Sequence, residues 1–146
     1  MGPDLNQLAK EWKWLIDLSG QQLITMSPFG DLLLRNESGD ISLLDINLGA
    51  LEPAASSASD PVLLFPVAFD DRIASSYRKA GLQLTDGKCY GYKTPCVAGG
   101  SLEPENVYVA TASEYISFMG DFHYQIRDVP DGGSIRLKVI NQALAK

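Results

Sequence analysis

Residues 22–46 read QLITM SPFG DLLLR NESGD ISLLDI, and this stretch decides the fold class. It contains three short apolar runs rich in Leu and Ile, at 22–26, 31–35 and 41–46, separated by two segments of turn-forming residues. In the separators, Pro restricts φ, Gly tolerates positive φ, and Asn or Asp can hydrogen-bond the local backbone. Runs joined by turns this short predict an antiparallel β-meander.

Helical periodicity lies on both sides of the meander. Upstream, a helix is predicted between a capping Asp4 and a stop at Ser19-Gly20. Downstream, a second helix is predicted from about Phe69 to Ala80, with Gly81 as its stop, and a third begins at the capping-box sequence Thr111-Ala-Ser-Glu114. The apolar stripes of the first and last of these helices are Leu5, Leu8, Trp12, Leu15 and Ile16, and Tyr115, Ile116, Met119, Phe122 and Ile126.

The remaining segments complete the predicted fold. Residues 50–60 are expected to be an irregular connection, Asp60-Pro61 to begin a helix that Pro66 breaks, and residues 82–106 to form loop and short strand. Alternating apolar and polar residues predict strands near 107–111 and 135–140. The sequence therefore predicts one α+β domain, residues 1–146, whose mainly antiparallel sheet packs against two to four helices.

Charge excludes several classes of function. The chain carries a net charge of −6, and residues 1–71 hold eleven acidic residues against three basic ones. This balance argues against nucleic-acid binding and against a basic peripheral membrane protein, because both need clustered Lys and Arg. No apolar run approaches the about twenty residues of a spanning helix, and the N-terminus lacks the pattern of a secretion signal. We therefore expect a cytoplasmic protein.

The residue types that could carry chemistry are few. His123 is the single histidine, and Cys89 and Cys96 are the two cysteines, which leaves too few ligands for a zinc site. We expect free, buried or half-buried thiols, because a cytosolic cysteine pair is usually reduced even where a disulfide is geometrically conceivable. We expect the histidine to be packed and bonded to a backbone carbonyl. Acidic pairs, including Asp31 with Asp45, are interpreted as solvated faces, caps and turns. The residues thus predict no catalytic, cofactor-binding or metal site.

A family resemblance begins at residues 88–100, KCYGYKTPCVAGG. This stretch resembles the C-terminal domain of the Tdi-type immunity proteins of bacterial type VI secretion systems, a domain that also occurs alone. Further matching pieces follow the same order along nearly the whole chain. They are Trp12-Lys-Trp14-Leu15, Phe29-Gly30-Asp31, Leu44-Asp45 with Gly49, Asn106-Val-Tyr108, and His123-Tyr-Gln125-Ile126 leading to Pro130-Asp-Gly132.

The resemblance implies a non-enzymatic immunity protein that binds and occludes a cognate toxin, typically a DNase. Exposed aromatics and acids would form the contact surface. The predicted contacts, chosen because we expect them to be exposed on loops or a helix face, are Tyr90, Tyr92, Glu103, Glu105 and Asp121. One alternative is a small-ligand-binding or enzymatic domain with a pocket near the 88–100 loop, formed by His123, Cys89 or Cys96 and a carboxylate. Another is an interaction module in a larger assembly, with self-association as one form of it; the sequence does not indicate an oligomeric state.

Overall fold

The computed structural model describes residues 4–54, 61–66 and 68–129. Its described part is α+β, as predicted, with a four-stranded sheet, a two-stranded sheet and three α-helices. The helices are α1 (Leu5–Leu8), α2 (Asp71–Lys79) and α3 (Ala112–Ile126). The strands are β1 (Gln22–Met26), β2 (Leu32–Arg35), β3 (Ile41–Asp45), β4 (Ala50–Ala54), β5 (Lys88–Tyr92) and β6 (Val107–Thr111).

The predicted meander is confirmed, and it has one more strand than expected. β1, β2, β3 and β4 lie in chain order, each antiparallel to the next. The prediction of an irregular connection is wrong for Ala50–Ala54, which pairs with β3 along its whole length. Gly49 adopts a φ of +72° and turns the chain back. Pro53 is tolerated because β4 is an edge strand with its free side away from β3.

The meander is apolar on both faces. Because side chains alternate along a strand, Leu32, Leu34 and Leu44 point to one face and Leu33 and Leu43 to the other. The first face packs against α3 and the N-terminal segment and forms the main core. The second face packs against Phe65 and its neighbours, which follow a 3₁₀ turn at Pro61–Leu64.

The second sheet lies between α2 and α3. The predicted strand near 107–111 is confirmed as β6, which pairs with β5 and not with the meander. Cys89 and Ala110 face the core around α3, whereas Tyr90 and Tyr92 pack against α2. The two sheets meet where the backbone N–H of Tyr90 donates to the carbonyl of Pro28, at 2.8 Å.

The single N-terminal helix predicted from the sequence is wrong. The α-helix ends at Leu8, and a 3₁₀ turn at Lys10–Trp12 follows it. Both indoles reach α3: Nε1 of Trp12 donates to the carbonyl of Ile116 at 2.9 Å, and Nε1 of Trp14 to that of Gly120 at 3.2 Å. In a continuous helix, positions 12 and 14 would point about 200° apart. The tertiary hydrogen bonds therefore override the helical periodicity.

The predicted last helix is confirmed as α3, with its apolar stripe buried except for the half-buried Ile126, but its capping box does not form. Thr111 is the N-cap residue without a side-chain capping bond. Its hydroxyl instead accepts a hydrogen bond from Nζ of Lys88 on β5, at 2.9 Å. The helix start predicted at Asp60 and the strand predicted near 135–140 lie outside the described residues. In the ranges that are described, no helix has the length and apolar character to cross a bilayer.

Candidate functional site

A groove with a volume of about 630 Å³ opens where the second face of the meander meets α2 and the loops after β5. Its walls are mostly apolar, and a small set of polar groups lies among them, a composition typical of binding sites. The lining residues are Phe29, Asp31, Leu43, Asp45, Asn47, Leu48, Glu52, Leu64, Phe65, Pro66, Ala68, Ile73, Tyr92, Cys96, Gly100 and Leu102.

Strand register brings three carboxylates to this groove. Leu33 pairs with Leu43, and Leu43 pairs with Glu52, so these three side chains share one face of the sheet. Asp31 precedes Leu33 by two residues and Asp45 follows Leu43 by two, which places both on the same face. Among the residues that the structure describes, the groove lining therefore contains three acids and no Lys, Arg or His.

Asp31 is the most deeply buried of the three acids, with 4% of its surface exposed. Its Oδ1 accepts from the backbone N–H of Ile46 at 3.0 Å and from Nδ2 of Asn47 at 3.1 Å, and the Ser27 hydroxyl donates to Oδ2 at 3.3 Å. Burial raises the pKa of Asp31 well above its usual value, and the nearby charge of Asp45 adds to the increase. The interpretation of Asp31 as a solvated acid is wrong.

Asp45 and Glu52 are progressively more exposed. Asp45 is half-buried, and its Oδ1 accepts from the backbone N–H groups of Asn47 and Leu48, at 3.1 and 2.9 Å, which stabilises the turn into β4. Glu52 lies exposed on the edge strand β4. Desolvation by neighbouring groups raises its pKa, and the negative charge of Asp45 and a hydrogen bond with that carboxyl group raise it further. Asp45 and Glu52 are therefore close enough to interact, and they repel each other when both are ionised.

Asn47 connects the groove to the core. Its Nδ2 donates to the carbonyl of Phe29 at 3.0 Å as well as to Asp31. Its Oδ1 accepts from the hydroxyl of Tyr115 on α3 at 2.9 Å, and its carbonyl lies 3.3 Å from Nε2 of His123. One turn residue thus holds the acidic corner in place against α3.

The expected character of the histidine and the thiols is confirmed. His123 is buried, hydrogen-bonded to a backbone carbonyl and packed against Trp12 and Phe122, with ring centroids 5.7 and 5.0 Å away. Burial lowers its pKa below 6.5. Cys89 and Cys96 are free, one buried and the other half-buried. Burial raises the pKa of Cys89 to about 12 and also raises that of Cys96, which disfavours a reactive thiolate.

The alternative pocket is not assembled as the sequence suggested. Cys96 lines the groove together with carboxylates, whereas Cys89 and His123 do not belong to its lining. His123 instead packs on the α3 side of the meander, and Cys89 faces the same core from β5. Across the part of the chain that the structure describes, no group of three or more His, Cys, Asp or Glu side chains could hold a metal ion.

The residues predicted to contact a partner differ in their accessibility. Tyr90 and Tyr92 are buried, so the expectation that both are exposed is wrong, although Tyr92 contributes to the groove lining. Glu103 and Glu105 are exposed, and Asp121 is half-buried. Whether these side chains contact a partner stays a prediction.

Sequence reasoning missed Asn47 and Glu52 and misjudged the environment of Asp31. The signal for Asp31 and Asp45 was available in the meander, because the two acids flank the β2–β3 pair symmetrically and must face each other in an antiparallel register. Glu52 could not be placed without recognising β4. Asn47 could be recognised as a turn residue, but its long-range bonds to Tyr115 and Phe29 have no sequence signature.

The fold and the groove define the class: an α+β protein in which carboxylates gather at one corner of an apolar groove. Residues 68–123 match the family model described as T6SS immunity protein Tdi1, C-terminal. The resemblance predicted from the sequence is thereby confirmed over these residues, and it supports a role in type VI secretion immunity. The match spans α2, β5, β6 and most of α3, whereas the three acids of the groove lie outside it. No curated protein matches the chain.

Proposed function

We propose that the chain neutralises a secreted toxin in the bacterial cytoplasm by binding it and covering its active site. The observation that carries the proposal is the match of residues 68–123 to the Tdi1 C-terminal family. An immunity protein acts by occupying the toxin and needs no catalytic group of its own. We further propose that residues 1–146 form one domain for this purpose.

The charge of the chain supports a basic partner. Its net charge is −6, with eleven acidic and three basic residues in the first 71 positions. A DNase must attract the phosphate backbone, so its active-site surface carries Lys and Arg. Complementary surface potentials accelerate association and discriminate against wrong partners. A toxin that acts on DNA is therefore the partner class that this chain suits best.

The environment of the nucleophilic residues supports binding over catalysis. The pKa values of both thiols are raised, which lowers the fraction of reactive thiolate at neutral pH. His123 is committed to a hydrogen bond with the Asn47 carbonyl and is packed between aromatic rings. A general base needs a free nitrogen within reach of substrate, and the groove lining does not include this imidazole.

Co-expression with the toxin encoded beside the gene tests the proposal. Cells that produce the active toxin should survive when they also produce this chain, and a catalytically inactive toxin should co-purify with it. As a specificity control, the chain is also produced together with an unrelated toxin of the same size. These cells should die, and the unrelated toxin should not co-purify with the chain. Cell death together with loss of co-purification would reject the proposed function.

A further inference from the structure

The rim of the groove is an exposed apolar surface. Leu48 and Leu102 both line the groove and keep 60% and 50% of their surface exposed. Val97, next to the lining residue Cys96, is 42% exposed. Exposed large aliphatic side chains around a concave site are typical of protein–protein contact surfaces and less so of small-ligand pockets closed to solvent.

The acidic corner of the groove has no counter-charge among the described residues of its lining. Asp31 is buried, Asp45 half-buried and Glu52 exposed, so carboxyl groups follow the groove from its floor to its rim. Within residues 4–54, 61–66 and 68–129, no basic side chain belongs to the lining. A cation placed here would relieve the repulsion between Asp45 and Glu52 and would gain charge-assisted hydrogen bonds.

An arginine side chain has both properties that suit this groove, namely an apolar stem for its walls and a cationic head for its acidic corner. Its aliphatic stem packs against apolar walls while the charged head reaches polar groups. Its planar guanidinium presents five N–H donors in a fixed fork, which suits several carboxylate oxygens at once. Arginine is also among the residues that most often dominate the energy of a protein interface.

We infer that the groove is a docking site for an arginine side chain of the toxin, with Leu48 and Leu102 packing against the toxin surface around it. The inference rests on the proposed function and deepens it by naming where the partner binds and which of its side chains enters. Asp45 and Glu52 contact the guanidinium, and Asp31 with Asn47 keeps Asp45 in position.

Calorimetric titration with the inactive toxin encoded beside the gene tests the groove. Glu52→Lys should weaken binding about 100-fold, because it places a like charge against the guanidinium. Asp45→Asn, which can keep the turn hydrogen bonds, should weaken binding about tenfold. The matched control is Glu37→Lys, which makes the same charge change at an exposed turn outside the groove and should change the affinity by less than about threefold.

A charge swap identifies the partner side chain. Each surface arginine of the toxin is changed to glutamate, and one of these variants should lose binding to the wild-type chain and regain it with Glu52→Lys. Circular dichroism of every variant confirms that the fold is retained. If Glu52→Lys and Asp45→Asn bind as tightly as the wild type, the docking site is wrong while the immunity function stands.

If the wild-type chain does not bind the toxin, the proposed function is rejected. A separate probe then tests whether the groove binds arginine. In that case, the chain is titrated with N-acetyl-arginine methylamide and followed by NMR of the methyl groups of Leu43, Leu48 and Leu102. Absence of shifts would reject the groove as an arginine site. Saturable shifts without toxin binding would identify a free guanidinium ligand and would equally overturn docking of a protein.

Discussion

The carboxyl group of Asp31 makes stability depend on pH in an unusual direction for an acid. Its pKa in the folded chain is raised above 3.8, so the folded state holds a proton that the unfolded chain has already lost. Stability should therefore fall as pH rises from about 4, with a slope of up to about 1.4 kcal/mol per pH unit. Asp31→Asn should remove this slope in urea unfolding measured from pH 4 to 8. A slope equal to that of the exposed control Asp40→Asn would contradict the account.

His123 should contribute a pH dependence of the opposite sign. Burial lowers its pKa below 6.5, so the unfolded chain binds a proton more readily than the folded chain. Stability should fall as the solution is acidified through pH 6.5 toward the lower pKa of the folded state. His123→Gln should flatten this part of the profile in the same urea series. An unchanged acid limb in the variant would show that His123 is not the group responsible.

Asn47 should contribute more to stability than other turn residues of the meander. Its side chain forms hydrogen bonds with Phe29, Asp31 and Tyr115. Asn47→Ala removes these three hydrogen bonds and leaves the polar groups of its partners unsatisfied. We expect a loss of about 2–4 kcal/mol in the free energy of unfolding. The matched control is Asn36→Ala, because the Asn36 side chain accepts from the local N–H groups of Ser38 and Asp40; this substitution should cost about 1 kcal/mol. Equal losses would contradict the proposed role of Asn47.

At the scale of elements, the close approach of the N-terminal segment to α3 depends on Gly120. A Cβ atom there would lie 2.7 Å from the carbonyl oxygen of Glu11. Gly120→Ala should therefore destabilise the fold by about 1–3 kcal/mol, although alanine in a helix interior normally adds about 1 kcal/mol of stability. Thermal unfolding measures the stability of the Gly120→Ala variant relative to the wild-type chain. Ser113→Ala, at an exposed position of the same helix, is the control. A stabilised Gly120→Ala variant would contradict the packing.

The elements that sequence predicted well are those whose signals are local. The three predicted meander strands follow from turn residues, and the prediction of α2 used the stop at Gly81. In the structure, Asp70 caps the start of α2, and its carboxylate accepts from the N–H of Arg72. The errors have long-range causes. The chain around Trp12 and Trp14 is not a continuous helix because both indoles donate hydrogen bonds to carbonyls of α3. Ala50–Ala54 forms a strand because it pairs with the free edge of β3. Neither partner is visible in the local sequence.

At the scale of the whole molecule, the candidate site was only partly predictable. Composition indicated an acidic chain. The family resemblance indicated an immunity protein, and the match of residues 68–123 supports that role. The groove itself depends on β4, on the Phe65 segment and on Cys96 coming together in space. Because Asp31, Asp45 and Glu52 are separated in sequence and joined by strand register, their common face required the structure.

The central claim is that this chain recognises a toxin through complementary charge. The most direct measurement is the affinity of the purified chain for the inactive toxin encoded beside its gene, determined by calorimetry over a series of salt concentrations. The account predicts a saturable complex whose affinity decreases as ionic strength increases, because salt screens the acidic surface. Absence of a complex at low salt, or an affinity that does not change with salt, would contradict it.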